Sequence, residues 1–143
     1  MYDYLDRPVG ALDEGGRFLV WAMRGWTQSM AERRCPPSVL ASAFERATLP
    51  DALGPFHLAM ATLNRDGRER MGFGTISCPQ VSEAEAILLS LIRLIGRGEK
   101  PAADATIALL VQPEAAQKFG RALTCVAILL CARYPLPDGV DGQ

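Results

Sequence analysis

The sequence lacks the short motifs by which many catalytic, nucleotide and metal sites are recognised. It has a single histidine and four scattered cysteines that form no C-x-x-C pair. Neither a G-x-G-x-x-G nor a G-x-x-x-x-G-K-[ST] loop is present, and no G-x-S-x-G segment marks a nucleophile. We therefore expect no cofactor. We favour a non-catalytic protein, while leaving enzymatic activity open.

The chain also lacks a strong charge of either sign and a long hydrophobic run. Fifteen lysines and arginines stand against sixteen acidic residues, for a net charge of −1. No sequence-wide field therefore attracts a polyanion such as nucleic acid. The longest apolar stretch, 126–132, falls well short of the roughly 20 residues that span a bilayer. These features predict neither a nucleic-acid partner nor a membrane partner.

The first residues are acidic and interrupted, unlike a secretory leader with its basic start and apolar run. Four cysteines are too few and too dispersed for a disulfide scaffold. We therefore expect a cytoplasmic protein with free thiols. The length of 143 residues and an ordinary globular composition predict one domain over 1–143, with 1–12 and 135–143 as extended or frayed ends.

Apolar residues recur at steps of three and four, and proline and glycine divide this pattern into helices. The pattern predicts an all-α, single-domain, orthogonal bundle of five or six helices with an ordered loop near residues 64–81. We expect the two longest helices, the first and the last, to pack centrally. The predicted helices cover about 13–34, 38–47, 51–63, 82–95, 102–111 and 113–133.

Helix starts are marked by capping residues. Ser82 followed three residues later by Glu85 is a capping box, in which each side chain accepts from a first-turn amide. Glu83 and Glu85 are explained by this role rather than as a catalytic carboxylate pair, because negative charge is favourable at a helix N-terminus. Ser38 and Asp51 are predicted to cap the second and third helices.

Three residues are candidates for a small-ligand or metal site: Cys35, Cys78 and His57. Both cysteines precede proline, as in some haem-responsive sequences, and with the histidine they could form a zinc site. Each also has a structural explanation, because proline favours helix entry and a lone histidine often packs in a core. We therefore assign no metal ligand, but keep a ligand- or metal-responsive protein using these residues as the alternative function.

Two tryptophans suggest an interaction surface. Trp21 and Trp26 lie five positions apart in the first predicted helix, so a single helix face cannot easily bury both. A second copy of the chain or another protein could cover the exposed indole. The favoured function is therefore protein–protein interaction or self-association, with Trp21 and Trp26 as the interface candidates.

The middle third of the chain resembles an uncharacterised bacterial family of helical domains of unknown function. The resemblance is carried by the segment 53–60, by Cys78-Pro79, and by the helix start from Ser82 to Leu89. It implies a compact helical unit. Members often carry several cysteines before the Ser-x-x-Glu helix, whereas this chain has only Cys78 there, which counts against a metal site. Because the family's role is unknown, the resemblance implies no activity.

Overall fold

A computed structural model describes residues 7–68, 72–75 and 77–135. This part of the chain forms six α-helices and no β-strands, which confirms the predicted all-α single-domain bundle. The helices are α1 (Glu14–Ala31), α2 (Pro36–Arg46), α3 (Leu53–Asp66), α4 (Glu83–Gly96), α5 (Lys100–Leu110) and α6 (Pro113–Arg133).

Helix α6 occupies the centre of the bundle. It packs most extensively against α3 and α4, and also contacts α5 and α1. Its buried side includes Phe119 and Ala127, both fully buried. The prediction that α1 is equally central is wrong, because α1 packs mainly on α2. There Gly25 lets the helices approach so closely that a Cβ at this position would lie 2.9 Å from Cδ2 of Leu40.

The starts of α1 and α4 are capped by side chains. Asp13 accepts a hydrogen bond from the Gly16 amide at the start of α1. At α4 the capping box is present in full, with the Glu85 amide donating to Ser82 and the Ser82 amide donating to Glu85. The prediction for Ser82 and Glu85 is therefore confirmed.

The capping residues predicted for α2 and α3, Ser38 and Asp51, are wrong. Helix α2 begins two residues before Ser38, because Pro36 and Pro37 already have the backbone angle of a first helical turn, and Cys35 takes the N-cap position. Asp51 lies within a short 3-10 turn, Pro50–Ala52, that leads directly into α3. No capping side chain is needed there, because the turn continues into the helix.

The segment before α1 pairs with the segment before α4. The Val9 amide donates to the Pro79 carbonyl at 2.7 Å, and the Val81 amide donates to the Arg7 carbonyl at 2.9 Å. Within the predicted extended end 1–12, residues 9–11 form a 3-10 turn, and residues 1–6 lie outside the described part. The other predicted end is described only at its first residue, Pro135. The loop predicted near 64–81 begins later, because α3 continues to Asp66.

Candidate functional site

The most unusual site in the interior is an ion pair between α1 and α4. The guanidinium of Arg24 and the carboxylate of Glu85 are 2% and 0% exposed. Nε of Arg24 donates to Oε2 at 2.8 Å, and Nη2 donates to Oε1 at 2.9 Å. This parallel two-bond arrangement is the strongest geometry available to an arginine–carboxylate pair.

Both members of the pair also bind the loop that precedes α4. Arg24 donates to the carbonyl oxygens of Cys78 at 2.7 Å and Gln80 at 2.8 Å. The Gly74 amide donates to Oε2 of Glu85 at 2.8 Å. A Cβ at Gly74 would lie 2.8 Å from Nη2 of Arg24, so only glycine fits there without a shift of the arginine. We call this set of five residues, with Ser82, the Arg24–Glu85 clamp.

The electrostatics of the clamp favour the charged pair. Burial on its own would raise the pKa of Glu85, but hydrogen bonds from Arg24 and from the amides of Ser82 and Gly74 outweigh it and hold the pKa below its ordinary value. The hydrogen bond to Glu85 raises the pKa of Arg24 further. Each oxygen of Glu85 already accepts two hydrogen bonds. The carboxylate is therefore a structural tie with no position left for a substrate.

The three candidate ligands Cys35, Cys78 and His57 do not form one site. Among residues 7–68, 72–75 and 77–135, no three His, Cys, Asp or Glu side chains come together closely enough to hold a metal ion. Cys35 lies at the start of α2, whereas Cys78 lies in the loop before α4 and donates its thiol hydrogen to the Gln80 carbonyl at 3.5 Å. His57 is on α3 and has a different partner, described below.

Cys35 is the thiol with the most distinctive surroundings. It is exposed at the N-cap of α2, and hydrogen bonds from the hydroxyl and the amide of Ser38 lower its pKa from the ordinary value. The partial positive charge of a helix N-terminus acts in the same direction. Ser38, which was predicted to cap the helix, instead stabilises the thiolate of the cysteine at the N-cap position.

The two predicted interface tryptophans have different environments. Trp26 is 2% exposed, and its indole Nε1 donates to Nδ1 of His57 at 3.0 Å. It therefore lies in the core, and the prediction that it contributes to an interface is wrong, because the indole is buried and its N–H already has an acceptor on α3. Trp21 is 39% exposed and stacks on Phe18. His57 is a packing histidine whose Nδ1 is already occupied.

The surface of the described residues has concave regions and an apolar face. A groove of about 940 Å³ runs between α5 and α6; we call it the α5–α6 groove. A smaller cavity of about 310 Å³, the helix-end cavity, lies where the start of α1 meets the ends of α4 and α6. The outward side of α6, which we call the α6 face, is formed by exposed residues without charge: Thr124, Cys125, Ile128, Cys131 and Ala132.

Helix α6 is also the one helix in the described part of the chain that is long and apolar enough to cross a membrane. Within its most apolar window of eighteen residues, 39% of the residues are buried in the bundle. A central helix of a helical bundle meets the same criteria of length and composition. The apolar character of α6 is thus shared between the core and the α6 face.

Comparisons with known proteins add no homologue. No family model matches the chain, and neither the curated proteins nor the solved structures contain a significant match. The resemblance of the middle third to a bacterial helical family therefore stays a prediction.

Proposed function

We propose that this chain is a non-catalytic helical protein that self-associates, and that the α6 face forms the contact between two copies. The observation that carries the proposal is Ile128, an apolar side chain that is 64% exposed at the middle of this face. No charged residue occurs between Arg121 and Arg133. An uncharged face on the most central helix is typical of an interface, where the buried core is depleted of charge.

The order of residues along α6 favours a symmetric, antiparallel pair. Cys125 lies three residues before Ile128 and Cys131 three residues after it. If a twofold axis passes through Ile128, Cys125 meets Cys131 of the partner subunit. Twofold dimers are the commonest oligomers, and antiparallel helices align their dipoles favourably. The predicted contact is therefore between unlike cysteines.

The α5–α6 groove extends this apolar surface. Thr124 and Cys125 belong to both, and the groove continues over Ala103 and Ile107 of α5. A stable interface buries about 800 Å² from each partner, more than one helix face alone provides. Side chains of the second copy entering the groove would supply additional area, so the proposal includes the groove wall.

The proposed interface is tested by sedimentation of matched variants. We expect the wild type to form a dimer whose population rises with protein concentration. Ile128→Lys should remain monomeric, because dimerisation would bury the charge of the new lysine in the interface. Leu109→Lys is the control: Leu109 is even more exposed, at 71%, but lies on α5 outside the α6 face. A wild type that stays monomeric at millimolar concentration would refute self-association. Dissociation by Trp21→Lys but not by Ile128→Lys would move the interface to α1.

Chemical cross-linking tests whether the two α6 helices of the proposed dimer are antiparallel. In a background in which Cys35 and Cys78 are serine, a short bismaleimide should link Cys125 to Cys131 of the partner subunit. Either Cys125→Ser or Cys131→Ser alone should then abolish the linked dimer, because each link needs one of each. In a parallel pair, like cysteines would meet and each single variant would still be linked, which would contradict the antiparallel arrangement.

The same proposal places the protein in the cytoplasm. The four cysteines, all within the described residues, form no disulfide, and three of them are exposed. Exposed thiols persist in a reducing compartment and are prone to oxidation elsewhere. Fractionation of cells that express the tagged chain tests this, and recovery in the membrane or secreted fraction would contradict it.

A further inference from the structure

The helix-end cavity lies where three helix ends approach each other closely. A Cβ added to Gly15, in the first turn of α1, would lie 3.3 Å from Cβ of Tyr134. A Cβ added to Gly96, at the end of α4, would lie 3.1 Å from Sγ of Cys131. The two glycines thus bring α1 and α4 close to the end of α6, and the walls leave a space of about 310 Å³ between them.

The interior of this cavity is apolar. Its inner lining comes from core side chains, each less than one-tenth exposed: Leu19, Leu89, Ile92 and Leu130. Water finds few hydrogen-bond partners against such walls, whereas an apolar cavity of about 150 Å³ admits a benzene molecule. The helix-end cavity has about twice that volume and lies at the lower end of the range for ligand pockets. Its size therefore fits a two-ring aromatic body.

The charged groups at the opening of the cavity are already engaged. Arg93 and Arg97 each take part in an interaction, and Nη1 of Arg97 lies 3.7 Å from Oε2 of Glu99. Asp13 accepts a hydrogen bond from the Gly16 amide at 2.8 Å. The start of α1 adds a partial positive charge, whereas the ends of α4 and α6 add partial negative charges. Among the described residues, the opening therefore offers no free counter-charge to an ion of either sign.

From this combination we infer that the helix-end cavity binds a small uncharged molecule with an apolar body of about two rings. Such a molecule fills the leucine-lined interior and loses little hydration when it enters. An ion of the same shape would lose part of its hydration without gaining a counter-charge. The ligand is thus recognised by its shape and apolar surface. The site does not depend on the proposed self-association, although Cys131 belongs both to its wall and to the α6 face.

The test compares three probes that share a naphthalene body and differ in charge: 2-naphthylmethanol, 2-naphthoate and 2-naphthylmethylammonium. Each probe is titrated into the ¹⁵N-labelled chain carrying Ile128→Lys, so that changes in oligomeric state do not affect the spectra. We expect the alcohol to shift the amide signals of Gly15, Gly16 and Gly96 saturably. Gly54 on α3 and Gly120 in the α5–α6 groove serve as internal references.

The dependence on charge tests the chemical class of the ligand. We expect both ions to bind at least about tenfold more weakly than the alcohol, because a partly buried ion loses hydration. Arg97→Gln should change the affinity for the alcohol by less than about twofold, since an exposed ion pair contributes little. Binding of either ion as tightly as the alcohol would overturn the assignment to an uncharged ligand.

A matched pair of variants tests the location of the site. Leu130→Trp narrows the cavity and should weaken binding of the alcohol at least about tenfold. Leu110→Trp is the control, because Leu110 is also 8% exposed but lies on α5, outside the cavity lining. The ¹⁵N spectrum of each variant shows whether it is folded, and the glycine signals locate the site without either substitution. Shifts centred on Gly120, no saturation at millimolar alcohol, or equal weakening by both folded variants would overturn the site itself.

Discussion

The Arg24–Glu85 clamp and the α6 face depart from the usual distribution of side chains in opposite directions. In the clamp, two charged groups lie in the interior; on the α6 face, Ile128 is 64% exposed to solvent. The clamp needs nothing further, because backbone groups and the opposite charge satisfy its polar atoms. The side chain of Ile128 on the α6 face is left mostly uncovered by the residues that the structure describes. The buried charges are thus satisfied within the fold, whereas the exposed apolar residues are the basis of the proposed self-association.

Breaking the Arg24–Glu85 clamp should lower the free energy of unfolding more than any other change considered below. Arg24→Met leaves the Glu85 carboxylate buried without its counter-charge and removes the donor from two loop carbonyls. We expect the free energy of unfolding to fall by about 3–5 kcal/mol in urea titrations. Arg46→Met, at an exposed arginine of α2, should change it by less than about 0.5 kcal/mol. Equal effects of the two variants would show that the clamp contributes no special stability.

Acid should weaken the clamp from the carboxylate side. The folded pKa of Glu85 is depressed, so on acidification the unfolded chain binds the proton first. The contribution of Glu85 is complete above the ordinary glutamate pKa of about 4.3 and is lost as the pH falls through the folded pKa. The slope from one proton is at most about 1.4 kcal/mol per pH unit.

The measurement is urea unfolding at a series of acidic pH values. Glu85→Gln should lack this part of the slope, whereas Glu83→Gln, in the same helical turn but exposed, should keep it. An unchanged slope in Glu85→Gln would mean that other carboxylates cause the acid sensitivity.

Thr62 offers a smaller test of the rule that buried polar groups need partners. Its side chain is 1% exposed, and no hydrogen-bond partner lies near its Oγ1 within the described residues. Thr62→Val keeps the shape and removes this unsatisfied hydroxyl, so we expect a gain of about 1 kcal/mol in thermal or urea unfolding. Thr106→Val provides the contrast, because the Thr106 hydroxyl donates to the Ala102 carbonyl and its removal should give no such gain.

The smallest effect on folding is expected on the α6 face. Ile128→Lys should change the free energy of unfolding of the monomer by less than about 0.5 kcal/mol, because the residue is mostly exposed. Chemical denaturation at low protein concentration measures this. A large loss would assign Ile128 to the fold rather than to an interface, and would reverse the comparison with the clamp.

The helices were predictable because their signals are local. Apolar spacing placed all six of them, and the Ser82–Glu85 capping box was read correctly from four consecutive residues. The errors at Ser38 and Asp51 come from equally local competitors, since Pro36 and Pro50 start their turns earlier than the capping side chains would. Neither error affects which residues are helical by more than a few positions.

The second role of Glu85 was not predictable in the same way. Its capping role needs only Ser82, but its ion pair joins residues 61 positions apart. One signal was present: Arg24 directly follows Met23 and lies one turn after Val20, both buried, so it interrupts the apolar side of α1. A charge in such a position calls for a buried partner, although nothing in α1 identifies which one.

Local apolar periodicity, capping residues and prolines were enough to specify an all-α chain and the approximate limits of its helices, since helical hydrogen bonds join residues only four apart. Helix packing decided three further features: the pairing of Arg24 with Glu85, the separation of Cys35, Cys78 and His57, and the burial of Trp26 but not of Trp21. Packing joins side chains that are distant in the chain, and its outcome follows from shape and the satisfaction of buried polar groups rather than from spacing along one helix.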